Sequence, residues 1–429
     1  MQAVLDRARK LDAADPLSHF RDEFVIPDPE VIYLDGNSLG RLPKRMVALM
    51  QEVVSHQWGA ELIRSYPETW FQMPNRLGAK IAKIIGTRED EVLVSDCTSV
   101  NLYKLALAAL ELRPGRKEIL TDQANFPSDC YVLEGIARQT GHKILGTEPP
   151  GTPPPSEGFP VPACREEGQG RGSVCGSNTA LLTLSHVTFK SGELYDMAAL
   201  TKDAHENGAL TLWDLSHSVG AVPIELNACN ADLAVGCTYK YLNAGPGAAA
   251  FLFVRKDLQE QLLNPIQGWF GRDNAFDFGL DYKPREGISR FLTGSPTILS
   301  MAPVESGVDL ILEAGIENLR RKSLAQTSFL IELWETYLAP LGFTLNTPRE
   351  AQKRGSHLAL GHPHALAIDL ALINEAKVIP DFRTPDNIRF GCTPLYTTFT
   401  EIATAIQSTV EIVSSRTHLN YLERTPTVT

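Results

Sequence analysis

The chain has 429 residues, 43% of them hydrophobic and 21% charged, the proportions of a globular protein rather than a disordered or fibrous one. Its 40 basic and 51 acidic residues give a net charge of −11, which argues against a general binder of nucleic acid or of an anionic membrane. No apolar run approaches the ~18 residues that span a bilayer, and residues 1–24 lack the apolar stretch of a signal peptide, so the expected location is cytoplasmic.

Residues 76–85 carry apolar side chains at Leu77, Ile81, Ile84 and Ile85, a helical spacing closed by Gly86. A strand is predicted at 91–95, a strongly apolar helix at 101–112, a strand at 117–121, and a helix at 129–139 with Ser128 available as its N-cap. Short apolar strands follow at 142–145, 180–184, 209–213, 233–237 and 249–254, with a helix at 197–207 between two of them. Strands and helices alternating in this way imply an α/β domain with a mostly parallel sheet. Between two of the strands, residues 146–176 carry Pro149, Pro150, Pro153, Pro154, Pro155, Pro160 and Pro162 and then a Gly-rich stretch. No regular element fits there, and the segment reads as a surface excursion. Beyond about 305 the texture changes. Helical periodicity over 303–337 precedes short strands at 357–360, 365–370 and 388–390 and a last helix at 400–414. This is an α+β second domain, and a helix around 304–314 would join the two.

Chemistry concentrates at a few points. Lys240 follows an apolar run and precedes the turn residues Asn243, Gly245, Pro246 and Gly247. A lysine held in a partly dry site becomes a nucleophile toward an aldehyde; a solvated loop lysine is the plainer reading. Asp214 ends the run Ala209-Leu-Thr-Leu-Trp-Asp214, and ligands of open α/β sheets sit beyond the carboxyl ends of strands. A carboxylate there, 26 residues ahead of a turn-flanked lysine, is the order a pyridoxal enzyme needs, because the pyridine nitrogen must be kept protonated. Thr98 and Ser99 lie between a strand and a helix, where free N–H groups can take a phosphate or the pair can simply cap the helix. Phe126, in Asn125-Phe-Pro-Ser-Asp129, could cover a planar ring, although a turn and N-cap explain that string equally. Arg389 lies in a strand-like apolar run, where it could clamp a carboxylate or sit in a structural salt bridge. The seven cysteines are scattered without a CxxC pair, which speaks against a disulfide framework or zinc site. His362-Pro-His364 reads as loop, and no metal site is expected.

In combination, Leu34-Asp-Gly-Asn-Ser-Leu-Gly40, Trp58-Gly-Ala-Glu-Leu-Ile-Arg-Ser65, Asn125-Phe-Pro-Ser-Asp129, Trp213-Asp-Leu-Ser-His-Ser-Val-Gly220, Gly236-Cys-Thr-Tyr-Lys-Tyr-Leu-Asn-Ala-Gly-Pro-Gly247, Gly268-Trp-Phe-Gly271 and Arg389 with Pro394-Leu-Tyr396 resemble the kynureninase family of pyridoxal-phosphate enzymes. Each string is weak alone; together, in this order and over most of the chain, they are specific. The resemblance implies the fold-type-I architecture. A large domain over 46–304 surrounds a mainly parallel seven-stranded sheet, and a small α+β domain is built from 1–45 and 305–429. It implies a homodimer with shared active sites, pyridoxal 5'-phosphate as cofactor, and hydrolysis of the small molecule L-kynurenine. Lys240 would carry the cofactor, Asp214 would pair with its ring nitrogen and Phe126 would stack on its ring. Thr98, Ser99 and Tyr239 would bind its phosphate, with Trp269 and Ser295 reaching in from the partner subunit. Asp129, Ser185 and His217 would line the cofactor, Arg389 would hold the substrate carboxylate, and Ser38 and Arg64 would border the substrate. Tyr239 is also the implied acid/base near the γ-carbonyl or β-carbon. The small Gly294-Ser295 pair is closer to the bacterial, kynurenine-preferring type than to the animal enzymes that favour 3-hydroxykynurenine. The excursion at 146–176 is longer than the family pattern. The rivals are a cysteine desulfurase-like enzyme, an aminotransferase, or a non-catalytic protein of the same fold. The first needs a nucleophilic cysteine ahead of Arg389, and no cysteine lies between Cys237 and Cys392.

Overall fold

The computed structural model describes residues 1–146 and 174–424. Residues 147–173, the body of the Pro/Gly-rich excursion, lie outside them. Seven short strands form the main sheet: β1 (Val92–Val94), β2 (Glu118–Leu120), β3 (Lys143–Leu145), β4 (Thr179–Ser185), β5 (Leu210–Asp214), β6 (Leu233–Gly236) and β7 (Phe251–Val254). Their order is β1-β7-β6-β5-β4-β2-β3, and only β7 runs antiparallel to its neighbours. The protein is therefore an α/β protein with a mainly parallel seven-stranded sheet.

Alternation along the strands buries both faces, as a parallel sheet requires. Val92, Val94, Trp213, Ala234, Phe251 and Phe253 share one core with α3 (Met73–Ile84), α6 (Met197–Glu206) and α7 (Ile298–Ala314). Leu93, Leu212, Leu233, Val235, Leu252 and Val254 share the other with α4 (Thr98–Glu111) and α5 (Pro127–Thr140). Gly86, at φ +64°, stops just beyond α3 the helix that Leu77, Ile81 and Ile84 bury.

A separate core lies in the remaining elements. Strands β8 (Thr344–Leu345), β9 (His357–Gly361), β10 (Asp381–Arg383) and β11 (Asn387–Gly391) form an antiparallel sheet in the order β10-β11-β9-β8. Ala8 of α1 (Gln2–Ala13) packs here with residues of α8 (Ile316–Leu333), α9 (Ala365–Ala376) and α10 (Phe399–Ser414). The N-terminal segment is tied in by parallel pairing of Ile32–Tyr33 with Val378–Ile379.

Most predicted elements stand within a few residues of their expected bounds. One differs in kind: 365–370, expected as a strand, is the first half of helix α9. The run Ala365-Leu-Ala-Ile-Asp-Leu-Ala-Leu continues for 12 residues and is rich in alanine and leucine. A short apolar run cannot be told from a buried helix by its period, but length and weak β-branching favour the helix. Helix α5 also begins earlier than expected. Phe126 is its N-cap, Pro127 occupies the first turn, and Ser128 lies inside the helix. The periodicity over 303–337 resolves into α7 and α8, broken at Gly315, which adopts φ +77°.

Candidate active site

Strands β1, β2, β4, β5 and β6 all end on one edge of the sheet, and the residues just past those ends enclose a cleft of roughly 200 Å³. Asp214 is the last residue of β5 and is buried. Ser216 donates to its Oδ1 from both backbone N, at 2.9 Å, and Oγ, at 2.6 Å. Ser185 ends β4 directly opposite Asp214 in the register, and its hydroxyl donates to Asn125 Oδ1 at 2.6 Å. The Asn125 amide in turn donates to Thr121 Oγ1 at 3.1 Å. The wall between β2 and α5 is thereby fixed, and with it the two residues that follow on α5's edge, Phe126 and Asp129.

Lys240, Phe126, Asp129, Asp214, Tyr239, Thr98 and Ser99 all line the cleft. Lys240 Nζ lies 2.9 Å from His217 Nε2, 5.7 Å from the Phe126 ring centroid and 5.9 Å from that of Tyr239. Thr98 and Ser99 open the 14-residue helix α4, whose N-terminus has no side-chain cap. Its free N–H groups and positive dipole end suit an anion of the phosphate type. Ser99 Oγ lies 3.0 Å from Ser128 Oγ, which joins the starts of α4 and α5.

Two buried carboxyls and the Lys240 amine set the electrostatics of the cleft. Burial pushes the Asp129 carboxyl well up, and the neighbouring Asp214 adds to the rise while Lys240 opposes it. Burial also raises Asp214, against the pull of Lys240. Asp129 Oδ2 is buried with no hydrogen-bond partner among the described residues. His217 is held well below its ordinary value, first by burial and then by Lys240, so it is a neutral imidazole. The neighbouring Cys237 and then burial raise the Tyr239 phenol, which keeps its proton.

Arg389 occupies the middle of β11, opposite Asp381 of β10 in the sheet register. Its Nε is 2.6 Å from Asp381 Oδ1, and its Nη2 is 2.9 Å from Ser38 Oγ. Ser38 also donates to Asp381 Oδ2 at 2.6 Å. The remaining amino group, Nη1, donates to the carbonyl of Phe189, whose ring meets Phe126 edge-on at 5.2 Å. Arg389 thus stands one aromatic pair away from the cleft, in contact with Ser38. The segment that carries Ser38 is pinned beside Lys240. Gly40 N donates to the Tyr239 carbonyl at 2.8 Å, and a Cβ at Gly40 would overlap the Lys240 carbonyl oxygen.

Seven expected residues are not part of the cleft's lining: Ser185, His217, Arg389 and Ser38 connect to it through the contacts above, and Trp269, Ser295 and Arg64 have no such contact among the described residues. Trp269 is 38% exposed and packs in an aromatic group with Phe270, Phe276 and Phe278. Ser295 is exposed. Arg64 is exposed and spends its guanidinium on the carbonyls of Ala60 and Glu61. Sequence reasoning missed Phe189, Asp381, Arg383 and His357. The last is buried 5.4 Å from His217, centroid to centroid. Phe189 sits four residues past the end of β4, a position that could have been singled out. The other three depend on strand register.

The comparisons with known proteins agree with this geometry. Residues 319–409 match the family model described as the kynureninase C-terminal domain. A kynureninase of Pseudomonas fluorescens is 44% identical over 414 residues, covering 95% of each chain. A kynureninase of Burkholderia mallei (strain SAVP1) is 39% identical over 417 residues, covering 96% of this chain and 95% of its own. Among solved structures, a cysteine desulfurase from Thermococcus onnurineus NA1 superposes with a TM-score of 0.75 at 19% identity, over 92% of this chain and 98% of its own. A cysteine desulfurase from Escherichia coli gives 0.73 at 16%, over 95% and 99%. The latter two share the fold-type-I architecture. With near-complete coverage at 44% identity and a cleft built from the expected strand ends, the chain belongs to the kynureninase family.

Proposed function

We propose that the cleft binds pyridoxal 5'-phosphate and that the protein hydrolyses L-kynurenine to anthranilate and L-alanine, with L-3-hydroxykynurenine as the second substrate. The observation that carries the reading is the convergence of Lys240, the Asp214 and Asp129 carboxyls and the uncapped start of α4 on one cleft. That set fits the cofactor chemically: an amine for its aldehyde, carboxyls for its ring cation and a helix terminus for its phosphate. The orphaned Asp129 Oδ2 is consistent with a polar ligand in this place.

Each residue then has a task. Lys240 would hold the cofactor, and its amine would take the proton from the substrate's Cα. Asp214 supports the ring cation from a position that Ser216 fixes. Phe126 covers the ring, and Asp129, Ser185 and His217 complete the lining. Thr98, Ser99 and Tyr239 hold the phosphate. Arg389 receives the substrate's α-carboxylate, and Ser38 and Arg64 border the substrate. Bound here, the cofactor supplies the electron sink that lets the substrate's Cβ–Cγ bond break. Water adds to the γ-carbonyl carbon and becomes part of the anthranilate carboxyl, while Cβ gains a proton and leaves as the methyl group of alanine. Neutral His217 accepts a hydrogen bond from the Lys240 amine, and the protonated Tyr239 phenol can deliver the proton at the γ-carbonyl or Cβ.

The cysteine desulfurase alternative meets a chemical obstacle beyond the cysteine count. Cys392 follows Arg389, is fully buried, and burial pushes its thiol up to about 12, where it is no nucleophile.

We infer further that the active unit is a homodimer in which Trp269 and Ser295 of each subunit complete the partner's cleft. The exposure of both, with Phe276, Phe278 and Leu280 nearby, supports this. Segment 46–304 would be the large domain, and 1–45 with 305–429 the small one. No described helix is long and apolar enough to cross a membrane, and the cytoplasm is the proposed compartment. Borohydride reduction followed by peptide mapping tests the cofactor assignment. The reduced cofactor is expected on the Lys240 peptide and absent from Lys240→Ala; finding it on another lysine would overturn the assignment.

A further inference from the structure

Arg389 and Asp381 are both 1% exposed, and a buried ion pair of this kind is ordinarily closed on itself. This one is not. A guanidinium has five N–H donors. Nε and one N–H of Nη2 go to the two Asp381 oxygens, the second of Nη2 to Ser38 Oγ, and one of Nη1 to the Phe189 carbonyl. The fifth, on Nη1, has no partner among the described residues. Asp381 therefore takes the Nε–Nη2 side and leaves the Nη1 end held by a neutral carbonyl alone.

The charge balance is open as well. A second guanidinium, Arg383, reaches the same Asp381 oxygen at 2.6 Å and Ser38 Oγ at 3.2 Å, so two cations share one carboxylate. The other carboxyls acting on this group are Asp35 and Asp369. Burial, reinforced by the Asp381 charge, pushes them up to about 8 and about 7. Both Asp369 oxygens and one Asp35 oxygen are buried without a hydrogen-bond partner among the described residues. The hydrogen-bonded cluster thus sets two guanidiniums against a single carboxylate, a surplus of positive charge beside Phe189. A structural salt bridge needs no such surplus; a receptor for an anion does.

We propose that Asp381 is the positioning residue that makes Arg389 a receptor for the substrate's carboxylate. It clamps one side of the guanidinium through the β10–β11 register, so that the Nη1 end is presented to the ligand, and Ser38 locks the clamp by bridging both partners. This rests on Arg389 as the site of the substrate carboxylate. It adds that recognition depends on a protein carboxylate that never touches the substrate. The alternative is direct competition, in which Asp381 is an internal stand-in that the substrate must displace.

The two differ in sign. The experiment compares kcat/KM of the cofactor-loaded enzyme for L-kynurenine and for its α-carboxamide, which lacks the anion. In Asp381→Asn the preference for the carboxylate should fall by on the order of ten- to a hundredfold, mainly through KM, with cofactor absorbance retained. An unchanged ratio, with both substrates slowed equally, would mean a merely structural role and would overturn the proposal. A ratio that rises would establish competition and also overturn it. Arg389→Gln separates the underlying reading: if that variant keeps the preference, Arg389 is not the receptor. If Arg389→Gln loses the preference and Asp381→Asn does not, only the positioning role fails. Should Asp381→Asn not fold, Ser38→Ala carries the test, because it leaves the ion pair in place. A fall in the ratio there is expected, and no change contradicts the clamp.

Discussion

In the proposed reaction, Lys240 and His217 set the chemistry at the scale of single residues. An imidazole 2.9 Å from an amine would repel it if charged. Full burial and the Lys240 charge instead hold His217 well below its usual range, so the contact is an acceptor for the amine's N–H. Tyr239 complements it as the donor, since its phenol is raised by Cys237 and by burial. Tyr239→Phe keeps the ring but removes the O–H. We expect it to retain cofactor absorbance while kcat falls by roughly 10²- to 10⁴-fold, measured by steady-state anthranilate release. Turnover near the parent's would remove Tyr239 from the proton transfers. These residues were legible in the sequence because each stands at a strand end or in a turn, where a polar residue after an apolar run is conspicuous. Asp381 was not. Nothing in the string between 381 and 389 says that the two residues meet, and their pairing follows only from the hairpin register.

At the scale of elements, the start of α4 is held by a buried lysine. Lys104 is fully buried and reaches Asp96 Oδ2 at 2.7 Å, Ser95 Oγ at 3.2 Å and the Phe291 carbonyl at 2.9 Å. Asp96, at φ +49°, shapes the turn that leads into Thr98 and Ser99, and its Oδ1 accepts from Thr293 Oγ1 at 3.3 Å. The pair therefore joins the turn before α4 to the segment that carries Ser295. Lys104→Met strands the Asp96 charge and should cost on the order of 3 kcal/mol, read from urea unfolding, with weaker cofactor binding. Adding Asp96→Asn should recover part of both. Equal stability of parent and Lys104→Met would contradict this. A lysine inside the apolar run 101–112 was a visible signal, since a buried charge demands a partner. The partner was not visible, because it depends on the turn. The misjudged element, 365–370, shows the converse limit. Ala365, Ala367, Ile368 and Asp369 are buried while Leu366 and Leu370 are half-buried, and so short a run, mostly apolar, carries too little periodicity from which to choose strand or helix.

At the scale of the whole molecule, the segment 34–40 crosses between the main sheet, with a core on each face, and the antiparallel sheet with its separate core. Leu34 O accepts from Gly391 N, and Gly40 N reaches the Tyr239 carbonyl. A segment near the N-terminus thereby links the Arg389 strand to the Lys240 turn, a contact between ends of the sequence that local reading could not supply. The exposed aromatic group around Trp269 belongs to the same scale, because its proposed use involves a second subunit. If clefts are shared, mixed dimers of Lys240→Ala and Trp269→Ala subunits contain one cleft with both residues intact. Co-expression should then give more activity than either variant alone. No gain, with mixed dimers shown by mass analysis, would place Trp269 outside the partner's site.

The central claim is the reaction, and the most direct measurement is product formation from L-kynurenine by the protein loaded with pyridoxal 5'-phosphate. Anthranilate is followed by its fluorescence and alanine by amino-acid analysis, with L-3-hydroxykynurenine run in parallel. Anthranilate and alanine are expected in equal amounts, with no requirement for a keto acid and with L-kynurenine as the faster substrate. Neither product from either substrate, in protein that carries the cofactor's visible absorbance, would contradict it.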